Sequence, residues 1–311
     1  MATEAQLNRA FLAGVSSIVD PVQVGLLREA IASGNIQAVI DALDIEDAAF
    51  DQLRVLVADT YAQAGADAVG AMTGRLRATR WNSAAPRAEA YARDVIGADI
   101  SRITDDMRAG VRSTVADGYA FGRSTNRIAL DLVGRIGANG RRQGGTVGLS
   151  LQQTQWIDNM RKYLAAGDNE RVRQYSMRDK RFDKLLKSGK QLTATQIDNI
   201  TRAYSQRLLL SRGKTIARTE RGSAVNNGRA EAYMQAADKL GVGHDRIEKK
   251  WRHRPFSREP RISHIAADKQ KVMGINTPFD VGGVPIQWPH AVGLPAGQVV
   301  NCNCECKFRI V

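Results

Sequence analysis

Prolines and cysteines are confined within this chain in a way that restricts its fold. Six of the eight prolines fall between Pro255 and Pro295, and the three cysteines are Cys302, Cys304 and Cys306, whereas the residues before Gly241 hold only Pro21 and Pro86. Proline removes a backbone donor and clashes with the preceding helical turn, so the proline-poor part is free to form long helices and the proline-dense part is not. The pattern predicts a mainly α N-terminal and central helical region followed by a small α+β C-terminal domain, with a long helix on a short-stranded, loop-rich sheet.

From Glu4 to about Gly137, apolar residues recur at three- and four-residue steps, as in Leu53/Val55/Leu56 and Ile103/Met107/Val111/Val115. That is the repeat of helices burying one face. Between Gly134 and Gly148, six glycines surround Arg141 and Arg142, a composition that predicts a flexible connection. Ser150 opens a helix through Trp156, Met160 and Tyr163, and another starts near Thr193, with Thr193 and Thr195 as candidate N-caps. A separate long helix is expected over 211–240. Its stripe Ile216, Glu220, Ala224 and Asn227 mixes apolar and polar groups, so burying Glu220 demands a cationic or backbone donor beside it. Past Gly243 the β-branched stretches 247–251, 272–275, 284–288, 299–301 and 307–311, punctuated by glycine and proline, read as short strands.

A length of 311 residues exceeds what one ordinary core fills and predicts two domains. No run of about 18 apolar residues offers a membrane span, and the start Met1-Ala2-Thr3-Glu4 does not read as a secretory signal, so a cytoplasmic protein is expected. Three clustered cysteines cannot all pair with one another, and a reducing compartment favours free thiols or a metal site over a disulfide framework. The net charge of +13 is uneven: residues 1–70 hold ten Asp/Glu against three Lys/Arg, a net −7, which leaves +20 for the remainder. A basic body suits phosphate contact and an acidic head suits a protein partner, while a merely solvated charged surface has the same composition. Residues 161–190 carry ten Lys/Arg and four Asp/Glu with Tyr175 and Phe182 interleaved. Such aromatics either stack on bases or face the core, and the core reading is favoured. Arg141, Arg142, Arg171, Arg173, Lys180 and Arg181 are the candidate nucleic-acid contacts.

Gly213-Lys214-Thr215 invites a phosphate-loop reading, which fails because position 208 is leucine where the loop needs glycine. No nucleophile elbow or His-Glu-x-x-His helix is present, and a hydrolase would have to be assembled from His253, His264, His290, Glu259, Asp268 and the cysteines. In an extended strand the three thiols would share one face at about 6.5 Å steps, so only some could reach one ion unless a turn at Asn303 intervened. His264 with Cys302, Cys304 and Cys306 is the candidate metal set, a structural zinc being the possible cofactor; buried thiols without metal are the plainer alternative.

The C-terminal half also carries an ordered series of short motifs. These are Gly148-Leu149-Ser150 before the helix Gln155 to Leu164; Leu192-Thr193 leading through Tyr204 and Leu208 to Ile216-Ala217-Arg218-Thr219-Glu220; and Asn227-Gly228. Then come Lys250-Trp251, Arg261-x-x-His264, Pro278-Phe279, Gly282-Gly283-Val284-Pro285 and Asn301-Cys302-x-Cys304. No single piece is specific, but the order resembles the phage Mu F-like minor head proteins, the phage head-morphogenesis family, over roughly Gly148 to Val311. Two departures stand out. Glu259 takes the place of an aspartate expected after the tryptophan, and Asn303, between Cys302 and Cys304, that of an expected arginine. If that arginine pairs with the helix carboxylate, Glu220 here must turn to Arg218, Arg252 or Arg261.

The resemblance implies a non-catalytic, low-copy minor capsid protein associated with the portal vertex during procapsid assembly, sometimes delivered with the genome. The expected organisation is a helical docking domain (1–137), a glycine-rich linker (138–149), a basic helical connector (150–213) and a Mu F-like α+β domain (214–311). The expected partners are the portal or other head proteins and packaged double-stranded DNA, with no membrane, in a virion assembled in the bacterial cytoplasm. Arg218, Glu220, Asn227, Trp251, Arg261, His264, Asn301, Cys302 and Cys304 form the expected structural constellation. The alternative is a metal-dependent DNA-processing enzyme or toxin-like effector, which requires the histidines to converge with a carboxylate around a cation in an open cleft.

Overall fold

Side-chain caps set where several helices begin in the computed structural model, which describes every residue except 139 and 256–259. In chain order the first helices are α1 (Glu4–Val19), α2 (Val24–Ala32), α3 (Ile36–Leu43), α4 (Asp51–Gly70), α5 (Pro86–Ala90), α6 (Ile96–Ala120) and α7 (Thr125–Val133). Asn35 accepts from the Gln37 and Ala38 amides to start α3, Ser124 accepts from Arg127 to start α7, and Pro86 supplies the first turn of α5. A hairpin of β1 (Arg135–Ile136) and β2 (Arg142–Gln143) follows, then α8 (Leu151–Ala165), α9 (Asn169–Arg173), α10 (Asp183–Lys187) and α11 (Ala194–Leu240). Ser150 and Gln153 form a capping box at α8, and Thr193 pairs with Gln196 in the same way at α11. The last part contains β3 (Ile247–Arg252), α12 (Ile262–Ala266), β4 (Lys271–Met273), β5 (Phe279–Asp280), β6 (Pro285–Ile286), α13 (Ala296–Val299) and β7 (Glu305–Ile310). The chain is thus mainly α with a small α+β end. No single helix among the described residues is long and apolar enough to cross a membrane.

Two compact units emerge, and they run across the linear division expected from sequence. One comprises Met1–Phe11, Gln52–Asp99 and Lys214–Val311; the other comprises Leu12–Asp51 and Ile100–Gly213. The expected docking segment 1–137 is therefore divided between them, because its helices find their apolar partners far along the chain. In the first unit, Val69 and Met72 after α4 pack on Ala232 and Ala236 of α11, with Trp81 at the edge. Tyr61 stacks on Tyr91 with centroids 4.3 Å apart. Gly228 is required where α11 meets α4, since a Cβ there would lie 2.4 Å from the Tyr61 carbonyl oxygen.

In the second unit, Leu149, Ile157, Met160, Leu164, Ile197, Ile200, Tyr204 and Leu208 make one apolar cluster. Tyr175 lies edge-on to Tyr204 at 5.5 Å, and Phe182 packs on the same cluster, so both interleaved aromatics serve the core. The glycine-rich segment departs from a flexible connection: it is the β1–β2 hairpin, with Arg135 opposite Gln143 and Ile136 opposite Arg142. Gly134 and Gly145 answer to close backbone approach, Gly134 (φ 76°) having room for no Cβ beside the Gln143 carbonyl.

Two further corrections concern the C-terminal half. The helices expected from Thr193 and over 211–240 are one continuous α11, because no proline interrupts them and good helix formers dominate. It ends where Gly241 takes φ 65° and the Val242 amide reaches back to the Ala237 carbonyl. Residues 299–301 form no strand: α13 ends at Val299, and Asn301 adopts φ 60°. The main sheet has order β4-β3-β7, all antiparallel, with Trp251 opposite Cys306 and Lys249 opposite Phe308. Ile247, Lys249 and Trp251 of β3 point inward, as do Cys306 and Phe308 of β7.

Candidate metal centre

Three chain segments converge at the C-terminal end of this sheet. β3 delivers buried Trp251 and then, two residues further along its inward face, His253. α12 presents His264, which is 2 % exposed and meets Trp251 edge-on with centroids 5.4 Å apart. The turn before β7 supplies Cys302 and Cys304, each 3 % exposed. The left-handed backbone at Asn301 bends the chain just before the two cysteines, and β7 begins only at Glu305, so the extended-strand limit on C-x-C spacing does not apply.

The Nδ1 of His264 lies 3.5 Å from Cys302 Sγ and 3.6 Å from Cys304 Sγ, and His253 Nδ1 lies 3.6 Å from Cys304 Sγ. The His264 nitrogen and the two sulfurs all fall within 4.8 Å of one another. His264 Nε2 is 2.8 Å from the Gln298 side-chain oxygen, which can only accept, so the proton sits on Nε2 and Nδ1 turns its lone pair to the sulfurs. The Asp268 carboxylate accepts from the His253 amide at 2.9 Å, and the Cys304 amide points at Cys302 Sγ from 3.4 Å. The two thiols titrate as a pair. The hydrogen bond with Cys304 drives the Cys302 thiol below its ordinary range, and the same contact raises Cys304. Cys306 stands apart from the expected ligand set: it faces the core from β7, and burial pushes its thiol up to about 12. His253, considered from sequence only as part of a loose hydrolase set, lies against Cys304 instead. The signal available was its position two residues after an inward tryptophan.

The rest of the expected constellation closes around this turn. Arg218 reaches the Asn301 side-chain oxygen (3.2 Å) and Glu4 (3.4 Å), and the Thr219 hydroxyl accepts from the Asn301 amide. Arg261 donates to the Val300 carbonyl at 2.8 Å. Glu220 is half-buried and raises the pKa of the Tyr91 phenol after burial and with a smaller effect than it, so its surroundings include α5 and the segment after it. Asn227 donates to the His290 carbonyl (2.9 Å) and accepts from the Trp288 indole (3.0 Å). Its neighbour Asn226, missed from sequence, donates to the Cys304 carbonyl and accepts from the Cys306 amide (2.9 Å), fastening β7 to α11. Also missed was Lys249, fully buried, whose ammonium donates to the carbonyls of Ile275, Thr277 and Gln287. A cleft of about 430 Å³ borders the thiols, lined by Arg218, Arg221 and Arg254 among others. Its acids are engaged, Glu4 by Arg218 and Glu305 by Arg229 and Arg254. Glu259 lies outside the described residues.

The candidate nucleic-acid contacts lie in the other unit and are largely paired. Arg142 donates to the Val22 carbonyl (2.9 Å), Arg171 pairs with Asp168 and covers the Tyr163 ring, Arg173 pairs with Glu170, and Arg181 with Asp179. Arg141 and Lys180 are exposed. Against known proteins, the chain matches no family, no curated protein and no solved structure.

Proposed function

We propose that this chain is a non-catalytic minor head protein of a tailed phage, held inside the capsid near the portal vertex and touching packaged DNA. The observation that carries the reading is the convergence of the motif series: residues spread from Arg218 to Cys304 pack around one C-terminal turn instead of serving separate surfaces. A set that keeps its order in sequence and closes on itself in space is what a family-wide structural signature looks like. The donor chemistry supports the non-catalytic part. Among the described residues, His264 gathers with two thiols and no Asp or Glu belongs to that group, and a hydrolytic metal site needs an open position beside a general base. The excess of positive charge after residue 70 supports DNA contact through phosphates.

Electron microscopy of heads assembled with the chain, its portal and its major capsid protein tests the placement. Density or label at the portal vertex is expected, and heads that mature normally without the chain oppose the reading. In filter-binding titrations, affinity for duplex DNA should be independent of sequence and fall steeply with salt; no binding at low salt removes the DNA contact.

A further inference from the structure

We propose that His253, His264, Cys302 and Cys304 hold one structural zinc ion, with Cys306 excluded. Zinc bonded to nitrogen at about 2.05 Å and to sulfur at about 2.3 Å in a tetrahedron gives an N···S edge of about 3.6 Å. Three of the four N···S separations here are 3.5, 3.6 and 3.6 Å.

Hydrogen bonding alone explains these contacts poorly. The single Nδ1 lone pair of His264 faces both sulfurs at once and can accept a proton from only one of them. A cation among them satisfies every lone pair together. The surroundings fit as well: the Gln298 oxygen fixes the tautomer that leaves His264 Nδ1 free to ligate, and the Cys304 amide points at Cys302 Sγ as a donor to a ligating thiolate. Two sulfurs and two imidazole nitrogens, with no carboxylate among the ligands, select zinc among the common divalent ions. His264 and the two thiols, mutually within 4.8 Å, form the closed part of the site, and His253, which touches Cys304 from just past β3 but lies outside that mutual spacing, would fill the fourth position by turning its ring toward the ion. The ion would cross-link the end of β3, the five-residue α12 and the turn before β7, segments too short to hold one another through regular structure.

The test uses the full chain purified under reducing conditions. Elemental analysis should return about one zinc per chain, and replacement by Co²⁺ should give the visible bands of a tetrahedral site with a thiolate charge-transfer band. Cys306→Ser should keep the metal at full stoichiometry. Cys302→Ser and Cys304→Ser should lose it, and His253→Ala should bind it at least ~10-fold more weakly with an altered cobalt spectrum. No zinc in the purified chain together with no cobalt spectrum after metal is added overturns the proposal. So does loss of metal in Cys306→Ser, or full-affinity binding with an unchanged spectrum in His253→Ala. The wild-type cobalt spectrum decides the matter even where a cysteine variant fails to fold. The head-protein reading survives a negative result, because it requires only that these segments pack together.

Discussion

Replacing Lys249 with methionine should destabilise the first unit by about 3 kcal/mol. Its Nζ donates to the carbonyls of Ile275 and Thr277 at 2.7 Å each and of Gln287 at 2.8 Å, while Phe279 and Trp288 lie beside it with ring centroids at 5.4 and 5.7 Å. Burial lowers its pKa only to about 8, so the ammonium is charged at neutral pH and all three protons are donated. Hydrogen bonds from a charged group contribute about 1.5–3 kcal/mol each, roughly 5–9 for three. The desolvation of the ammonium costs several kcal/mol and offsets about half of that, which leaves the smaller net figure. Methionine keeps the volume of the stem, so the change isolates the lost donors from any cavity. Urea unfolding followed by tryptophan fluorescence reads the effect, since Trp251 and Trp288 sit in the same cluster. A midpoint corresponding to a loss below about 0.5 kcal/mol would show that the three carbonyls do not depend on Lys249.

The second unit offers a pH test at Asp158, whose carboxyl is pushed up to about 8 by burial first, then by a hydrogen bond and the like charge of Asp117, against Arg123 and Arg161. Its folded pKa exceeds the unfolded value of 3.8, so the folded state binds the extra proton and stability falls as pH rises from about 4 to about 8; Asp158→Asn should remove that slope and gain at least ~1 kcal/mol at the upper end, and thermal midpoints that keep the wild-type slope would contradict it. Gly228→Ala should cost about 1–3 kcal/mol, measured by the same urea assay, because its Cβ would meet the Tyr61 carbonyl; an unchanged midpoint would place the crossing further apart than described. Removing residues 1–70 should destabilise the C-terminal domain instead of sparing it, since Ala2 accepts from Arg221, Glu4 pairs with Arg218 and Tyr61 backs Gly228; a truncated chain with wild-type unfolding would refute this.

Local signals in the sequence were informative where one residue type has one physical use. Ser150 and Thr193 are capping residues in fact, and the switch from helical to short-strand patterning falls at Gly241. Composition was a poorer guide where two causes share one signature. Glycine between 134 and 148 reads as freedom, yet the same residue type serves where backbones approach too closely for a Cβ, and only long-range packing separates the cases. The three cysteines are equally spaced in sequence, and nothing local tells Cys306 from its neighbours until the start of β7 at Glu305 assigns it to the core face. The interleaving of the two units is likewise a property of which apolar faces meet, which periodicity within any one helix does not encode.

Asn227 and Arg261 of the motif series share a task with Lys249, Asn226 and His290 outside it. Between β3 and β7 the backbone is mostly loop, and each buried carbonyl outside a sheet ladder must find a donor elsewhere. Side chains supply many of them: Lys249 serves Ile275, Thr277 and Gln287; Asn227 serves His290; Asn226 serves Cys304; Arg261 serves Val300; and the His290 imidazole lies 3.0 Å from the Cys302 carbonyl. Each of these bonds ties an irregular segment to α11, to β3 or to another loop, and replacing any one donor leaves a carbonyl without a partner. Such positions are constrained in identity because the acceptor is backbone and its place is set by the fold. A string of unrelated polar residues in fixed order is therefore the expected imprint of a loop-rich domain that holds its loops with side chains, and it requires no shared chemistry among them.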